Sequence, residues 1–320
     1  MLNTLKNTVL LLFGGLLLWL ALRNMPLHEL AEKLGTANYW LLLPVFMVTL
    51  FGYWVRIKRW NLLYEGLNES ISLRSAWVAL CAGYLLSYVI PRAGEITRCL
   101  IIKRYHDTPV NRSLATIIVE RFTDTFVLLM LIAFITLFNV AQTTSFFISN
   151  IIKPVYDKTG LILLLVLLLA GLAFFIAAAV YLKNKKSSSN WVDGFLMAMK
   201  ELVRLRTRSS YLVYTVLIWC CYFLMTWIWI FAFDESMSLP WLQVFVIMVV
   251  GTIGKSVPIQ GGGMGAYHYV VGQAFLFFGV SLVTGNALAI IIHGAQTLYT
   301  ILTGLSAYGV LMYDEKKRNL

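Results

Sequence analysis

The chain has 320 residues, 59% of them hydrophobic and 13% charged, with a formal net charge of +11. That composition excludes a soluble globular domain and marks an integral membrane protein. In such a protein the basic excess belongs to cytoplasmic loops facing anionic lipid heads, so nucleic acid is not an expected partner.

The first apolar run, Val9 to Leu22, follows a lone Lys6 and leads into Arg23-Asn24-Met25-Pro26 with no small-residue cleavage site. It reads as a retained helix and not as a cleaved signal peptide. Six runs reach or approach the length needed to cross a hydrocarbon core of about 30 Å at about 1.5 Å per residue. They cover roughly 7–22, 39–55, 113–138, 161–183, 211–233 and 286–311. Four shorter pieces, roughly 76–90, 95–105, 241–256 and 264–280, flank two breaks. The first break is Pro91-Arg92-Ala93-Gly94-Glu95, and the second is Lys255-Ser256-Val257-Pro258-Ile259-Gln260-Gly261-Gly262-Gly263. Irregular backbone is not tolerated against lipid and survives only inside protein or beside a wet cavity. The pieces therefore pair as two helical hairpins that enter the membrane and return.

Between the halves, Lys183 to Ser189 is a polar linker, and Ser189 or Asn190 caps a helix over about 191–206. Trp191, Phe195, Met199 and Leu202 share one side of it, and Lys200, Arg204 and Arg208 share another. This pattern predicts a helix lying on the inner leaflet. Cys81, Cys99, Cys220 and Cys221 all lie in or beside apolar runs without metal spacing. They read as buried free thiols, with no metal site and no cofactor expected.

Lysine and arginine orient the spans. With the N-terminus in the cytoplasm, nineteen basic residues fall in cytoplasmic segments, Arg56, Lys58, Arg59 and Arg98 among them. Only Arg23, Lys33, Lys153 and Lys158 fall outside, while Arg92, Arg121 and Lys255 remain within the membrane. The asymmetry predicts cytoplasmic termini. One hairpin then enters from inside and the other from outside. The expected fold is an all-α integral membrane protein of six full transmembrane helices plus two re-entrant helical hairpins in an inverted repeat. Four thin crossings in place of the hairpins would leave the termini on the same side, so charge alone leaves that arrangement open. The whole of 1–320 forms a single polytopic domain: a first half over 39–138, the linker and surface helix over 183–210, and an inverted second half over 211–312.

Charge clusters at the breaks. Arg92, Glu95 and Arg98 sit at and after the first, and Glu120, Arg121 and Asp124 lie two to three turns into the third crossing. An ionisable side chain at the bilayer centre costs about 2.5–3.5 kcal/mol, so these six should pair or be wetted. Three arginines meet three carboxylates, and helical spacing allows Glu120, Arg121 and Asp124 to share one stripe. The most economical packing sets Glu120 and Asp124 against Arg92 or Arg98. Such a network either staples hairpin to helix or holds arginines that bind an anionic head group, for which their planar fork is suited. At the second break, Gly261, Gly262 and Gly263 either form a backbone anion nest beside Lys255 or simply let the chain turn. His268, one turn further, is either a titratable site residue or a hydrogen-bonded packing residue.

Taken together, Pro91-Arg92-Ala93-Gly94-Glu95 with Arg98, Glu120-Arg121 with Asp124, and Pro258 with Gly262-Gly263-Met264-Gly265 resemble the transmembrane region of bacterial lysylphosphatidylglycerol synthase/flippase. The resemblance spans about 8–312 and includes stand-alone members that lack the synthase domain. It implies a lipid flippase-like protein of the bacterial inner membrane; members with the synthase domain move aminoacylated phosphatidylglycerol outward, and others are tied to glycolipid and envelope pathways. The family often carries glutamate where His268 stands, and the chain ends at Asp314-Glu315-Lys316-Lys317-Arg318 without room for an aminoacyl-transfer domain.

Three functions follow. The first is a translocator moving a phospholipid or lipid-linked head group between leaflets, with no enzymatic step. The second is a polytopic transferase using Glu95, Glu120 or Asp124 as general base, although no nucleotide-binding or paired-aspartate motif accompanies them. The third is a structural partner in envelope synthesis. Expected partners are membrane lipids with an anionic or phosphate-bearing head group, a second copy of the chain, and envelope-synthesis proteins.

Overall fold

The computed structural model describes residues 26–90, 93–137, 208–256 and 263–318. The expected spans 7–22 and 161–183, the surface helix 191–206, Arg92, Gly261 and Gly262 lie outside the described residues. Every regular element among the described residues is helical. In chain order these are α1 (Leu27–Gly35), α2 (Leu42–Gly66), α3 (Leu73–Val89), α4 (Ala93–His106) and α5 (Val110–Leu137). Then come α6 (Arg208–Trp229), α7 (Asp234–Met237), α8 (Trp241–Ser256), α9 (Ala266–Phe277) and α10 (Leu282–Arg318). Short 3₁₀ turns precede α2 and follow α6.

Among the described residues, three segments are long and apolar enough to cross a membrane: Tyr39–Gly66, Ser209–Ala232 and Leu282–Lys317. Their outward faces carry large apolar side chains, such as Leu43, Met47, Leu212, Val216 and Leu305, suited to acyl chains. At 17, 14, 16 and 12 residues, α3, α4, α8 and α9 reach only about 18–25 Å at 1.5 Å per residue.

α2 runs a full three turns beyond the expected end near residue 55, so Arg56, Lys58 and Arg59 are helical and not part of a cytoplasmic loop. Arg56 and Arg59 are buried. Charge ends a membrane helix only when nothing faces it, and here carboxylates do. Arg98, also counted with the cytoplasmic segments, is buried inside α4. Of the cysteines, Cys81, Cys99 and Cys221 are buried free thiols, while Cys220 is exposed on the apolar surface of α6.

The described residues bury two apolar cores, each mostly from one part of the chain. One gathers Trp60, Leu63, Ala79, Leu80, Ile102 and Val119 from α2 to α5. The other gathers Trp229, Val246, Val250, Phe275, Leu288 and Ile292 from α6 to α10. α3 packs on α4, α8 on α9, and α10 lies along both α3 and α9, joining the halves.

Glycine closes both hairpins. A Cβ on Gly94 would stand 1.9 Å from the Gly83 carbonyl oxygen, so only two glycines allow α3 and α4 this approach. In the second hairpin, a Cβ on Gly254 would stand 2.8 Å from Val270 and 3.0 Å from the Cα of Tyr267. Gly263 and Gly265 turn the chain into α9 with φ of +86° and +87°, a region that side chains disfavour.

The ends of the long helices are tied across the fold. Glu235 accepts hydrogen bonds from Ser281 and Thr284 at the start of α10 and lies 3.7 Å from Lys33 of α1. At the far end of α10, Asp314 accepts from Arg74 at 2.7 Å and from Tyr105 at 2.6 Å. Both contacts fasten the last helix to the base of the first hairpin.

Candidate functional site

The charged network is built where α2, α4 and α5 meet. Glu120, fully buried on α5, accepts from Arg98 of α4 at 2.9 Å and from Arg56 of α2 at 3.1 Å. A third guanidinium, Arg59, lies 3.7 Å from the same carboxylate. One turn on, Asp124 accepts from Arg59 at 2.6 Å and lies 3.5 Å from Arg56. Arg121, on another face of α5, donates to Glu95 of α4 at 3.1 Å.

Neutral groups hold these guanidinium groups in place. Arg98 stacks 4.1 Å over the ring of Trp60, whose indole N–H donates to Thr116. Arg56 donates to the Tyr222 hydroxyl of α6, and Arg59 to Thr215 of the same helix. The cluster therefore bonds the first half to α6. Cation–π contact and bidentate ion pairing both suit arginine, whose planar fork lysine cannot reproduce.

The expected partners are corrected in two respects. Asp124 is held by Arg56 and Arg59 and not by Arg98, and Arg121 leaves the stripe of Glu120 and Asp124 to pair with Glu95. Among the described residues the balance is four arginines to three carboxylates, in place of an even match. Arg56 and Arg59 are not expected in the network from sequence, because basic residues at the end of an apolar run read as a cytoplasmic loop. Their signal was the three-residue spacing, which puts both on one helix face with Trp60 beside them and Lys58 turned away.

Next to the network opens a cavity of about 820 Å³. Glu95, Arg98 and Gly94 line it from the first hairpin, and Lys255, Ser256 and Gly263 from the second. The two breaks, 160 residues apart in sequence, therefore border one space. Arg56, Arg121 and Asp124 reach the wall, whereas Glu120 sits behind it. Tyr53, Tyr84, Tyr88, Tyr222 and Tyr267 complete much of the lining. The volume falls in the range of pockets that enclose drug-sized ligands, well beyond what a lone ion needs.

Lys255 donates to the side-chain carbonyl of Gln296 on α10 and sits 4.5 Å from the centroid of the Tyr267 ring. His268 does not reach the cavity. It is buried, accepts the Gly265 N–H at Nδ1 at 3.2 Å, and packs against His293 with ring centroids 4.9 Å apart. This is the packing role, which fastens the start of α9 to α10. Among the described residues no three His, Cys, Asp or Glu side chains converge to hold a metal ion.

A family model described as the lysylphosphatidylglycerol synthase TM region matches residues 7–304 of the chain. The chain is also 22% identical over 245 residues to a UPF0104 membrane protein of Methanothermobacter thermautotrophicus, an alignment covering 70% of this chain and 71% of that one. No solved structure matches it.

Proposed function

The chain belongs to the lysylphosphatidylglycerol synthase TM-region family, and on that premise we propose that it is a lipid translocator whose cavity takes a head group between the two hairpins. The observation that carries this reading is the shared cavity, with Glu95 and Arg121 on one wall and Lys255 on the other. Broken helices that meet at one wet, charged space are the usual arrangement of a secondary transporter site. Head-group polarity would be matched by the cavity wall, while the acyl chains stay in the surrounding lipid.

Six crossings with two re-entrant hairpins in an inverted repeat fit this role. The short lengths of α3, α4, α8 and α9 support it, since a lone helix of that length spans the core only by thinning it. Both termini are assigned to the cytoplasm and the protein to the cell membrane. Removing Arg56, Lys58, Arg59 and Arg98 from the nineteen cytoplasmic basic residues still leaves fifteen against four outside. Rocking of one half against the other would expose the head group to each leaflet in turn. The reading assigns no covalent step to any carboxylate.

The test is transbilayer movement of acyl-labelled phospholipid in proteoliposomes, followed by chemical quenching of the outer leaflet. The combined variant Glu95→Gln with Arg121→Gln leaves the net charge of the site unchanged, and both side chains are partly exposed to the cavity. We expect it to fold normally and to lose movement by at least about tenfold, the value of one charge-assisted hydrogen bond. A variant that moves lipid at the wild-type rate would remove this cavity from the pathway.

A further inference from the structure

The charges on the cavity wall do not cancel. Arg56, Arg98, Arg121 and Lys255 line it against Glu95 and Asp124, and directly behind, Arg59 and Glu120 offset one another. The described site therefore carries two more positive charges than negative ones.

The cations differ in how they are matched. Arg56 is paired with Glu120 and Asp124, Arg98 with Glu120, and Arg121 with Glu95. Among the described residues the partners of Lys255 are neutral, the Gln296 carbonyl and the face of Tyr267. No ion pair among the described residues includes it. An amide oxygen and an aromatic face solvate an ammonium but bring no countercharge. An anion that enters the cavity supplies that charge.

We infer that Lys255 is the specificity-determining cation of this cavity and that it selects a net anionic, phosphate-bearing head group over zwitterionic or cationic ones. The inference rests on the translocator reading of the same cavity. A phosphate between the hairpins meets Lys255 as a point charge from α8 and the Arg121 fork from α5. A zwitterionic head group brings a second ammonium into a space already positive by two, and a cationic one raises the imbalance to three.

The experiment compares proteoliposomes carrying acyl-labelled phosphatidylglycerol, phosphatidylcholine or the cationic ethyl-phosphatidylcholine. Wild type should move phosphatidylglycerol roughly tenfold faster than phosphatidylcholine, the value of one charge-assisted hydrogen bond, and ethyl-phosphatidylcholine slowest. Lys255→Gln should bring the first two rates together by slowing phosphatidylglycerol, and Lys255→Arg should keep the preference. Gln296→Glu gives Lys255 the carboxylate it lacks, and should erase the preference with the lysine still present. Either Lys255→Gln or Gln296→Glu retaining the full preference overturns the assignment, as do equal wild-type rates for all three lipids. Failure of wild type to move any of them overturns the translocator reading itself. Uptake of labelled glycerol 3-phosphate from the buffer, without lipid movement, overturns the lipid as the source of the anion.

Discussion

Glu120 is the side chain on which most others depend. Its two oxygens accept from Arg98 and Arg56, and Arg59 lies beside them, with the carboxylate itself buried behind the cavity wall. A buried ion pair adds little net stability when intact, because desolvation offsets attraction, yet breaking it strands a charge. Glu120→Ala strands Arg98 and leaves Arg56 and Arg59 with Asp124 as their one described carboxylate. We expect a loss of about 3–5 kcal/mol, read as a large fall in the thermal unfolding midpoint of the detergent-purified protein. An unchanged midpoint would mean that water or lipid already shields those arginines. The sequence exposed the carboxylate and its helical spacing. It concealed two of the three partners, since Arg56 is 64 positions away from Glu120 and stands at what looked like the edge of a helix.

At the scale of elements, the first hairpin depends on a single close contact. Gly83 and Gly94 let α3 and α4 approach until no methyl group fits between them. Gly94→Ala must push the helices apart and disturb Arg98, whose stem also packs on Gly83. Overpacking of this kind costs about 1–3 kcal/mol. Gly294 of α10 has open space around the same position, so Gly294→Ala should leave stability unchanged or slightly raised. Comparing the unfolding of the two variants checks the contact; equal effects would discount it. The position of the hairpin was legible, because proline followed by glycine and charge interrupts an apolar run. The tightness of its closure was not, because any small residue would have fitted the pattern.

At the scale of the molecule, the two halves meet where α2 packs on α6, through α10, and around the cavity between the breaks. Wall positions should be wet and outward positions dry. With the four native cysteines replaced, Ser87→Cys and Ser256→Cys should react with a small charged thiol reagent, since both line the cavity. Leu212→Cys and Leu305→Cys face outward among apolar side chains and should stay unreactive in liposomes. Protection of both wall positions would mean a closed or lipid-filled space and would remove the head-group route.

Membrane residence, the sites of both helix breaks and the carboxylates needing partners were determined by the sequence alone. Each depends on local properties: hydropathy over one span, the backbone limits of proline and glycine, and the cost of a charge in hydrocarbon. Tertiary structure decided which arginines answer which carboxylates, that His268 packs behind the wall, and that the described partners of Lys255 are neutral. Those outcomes depend on distances between helices far apart in the chain. Ion pairing in a low dielectric is set by such distances, and no spacing along a single helix encodes them.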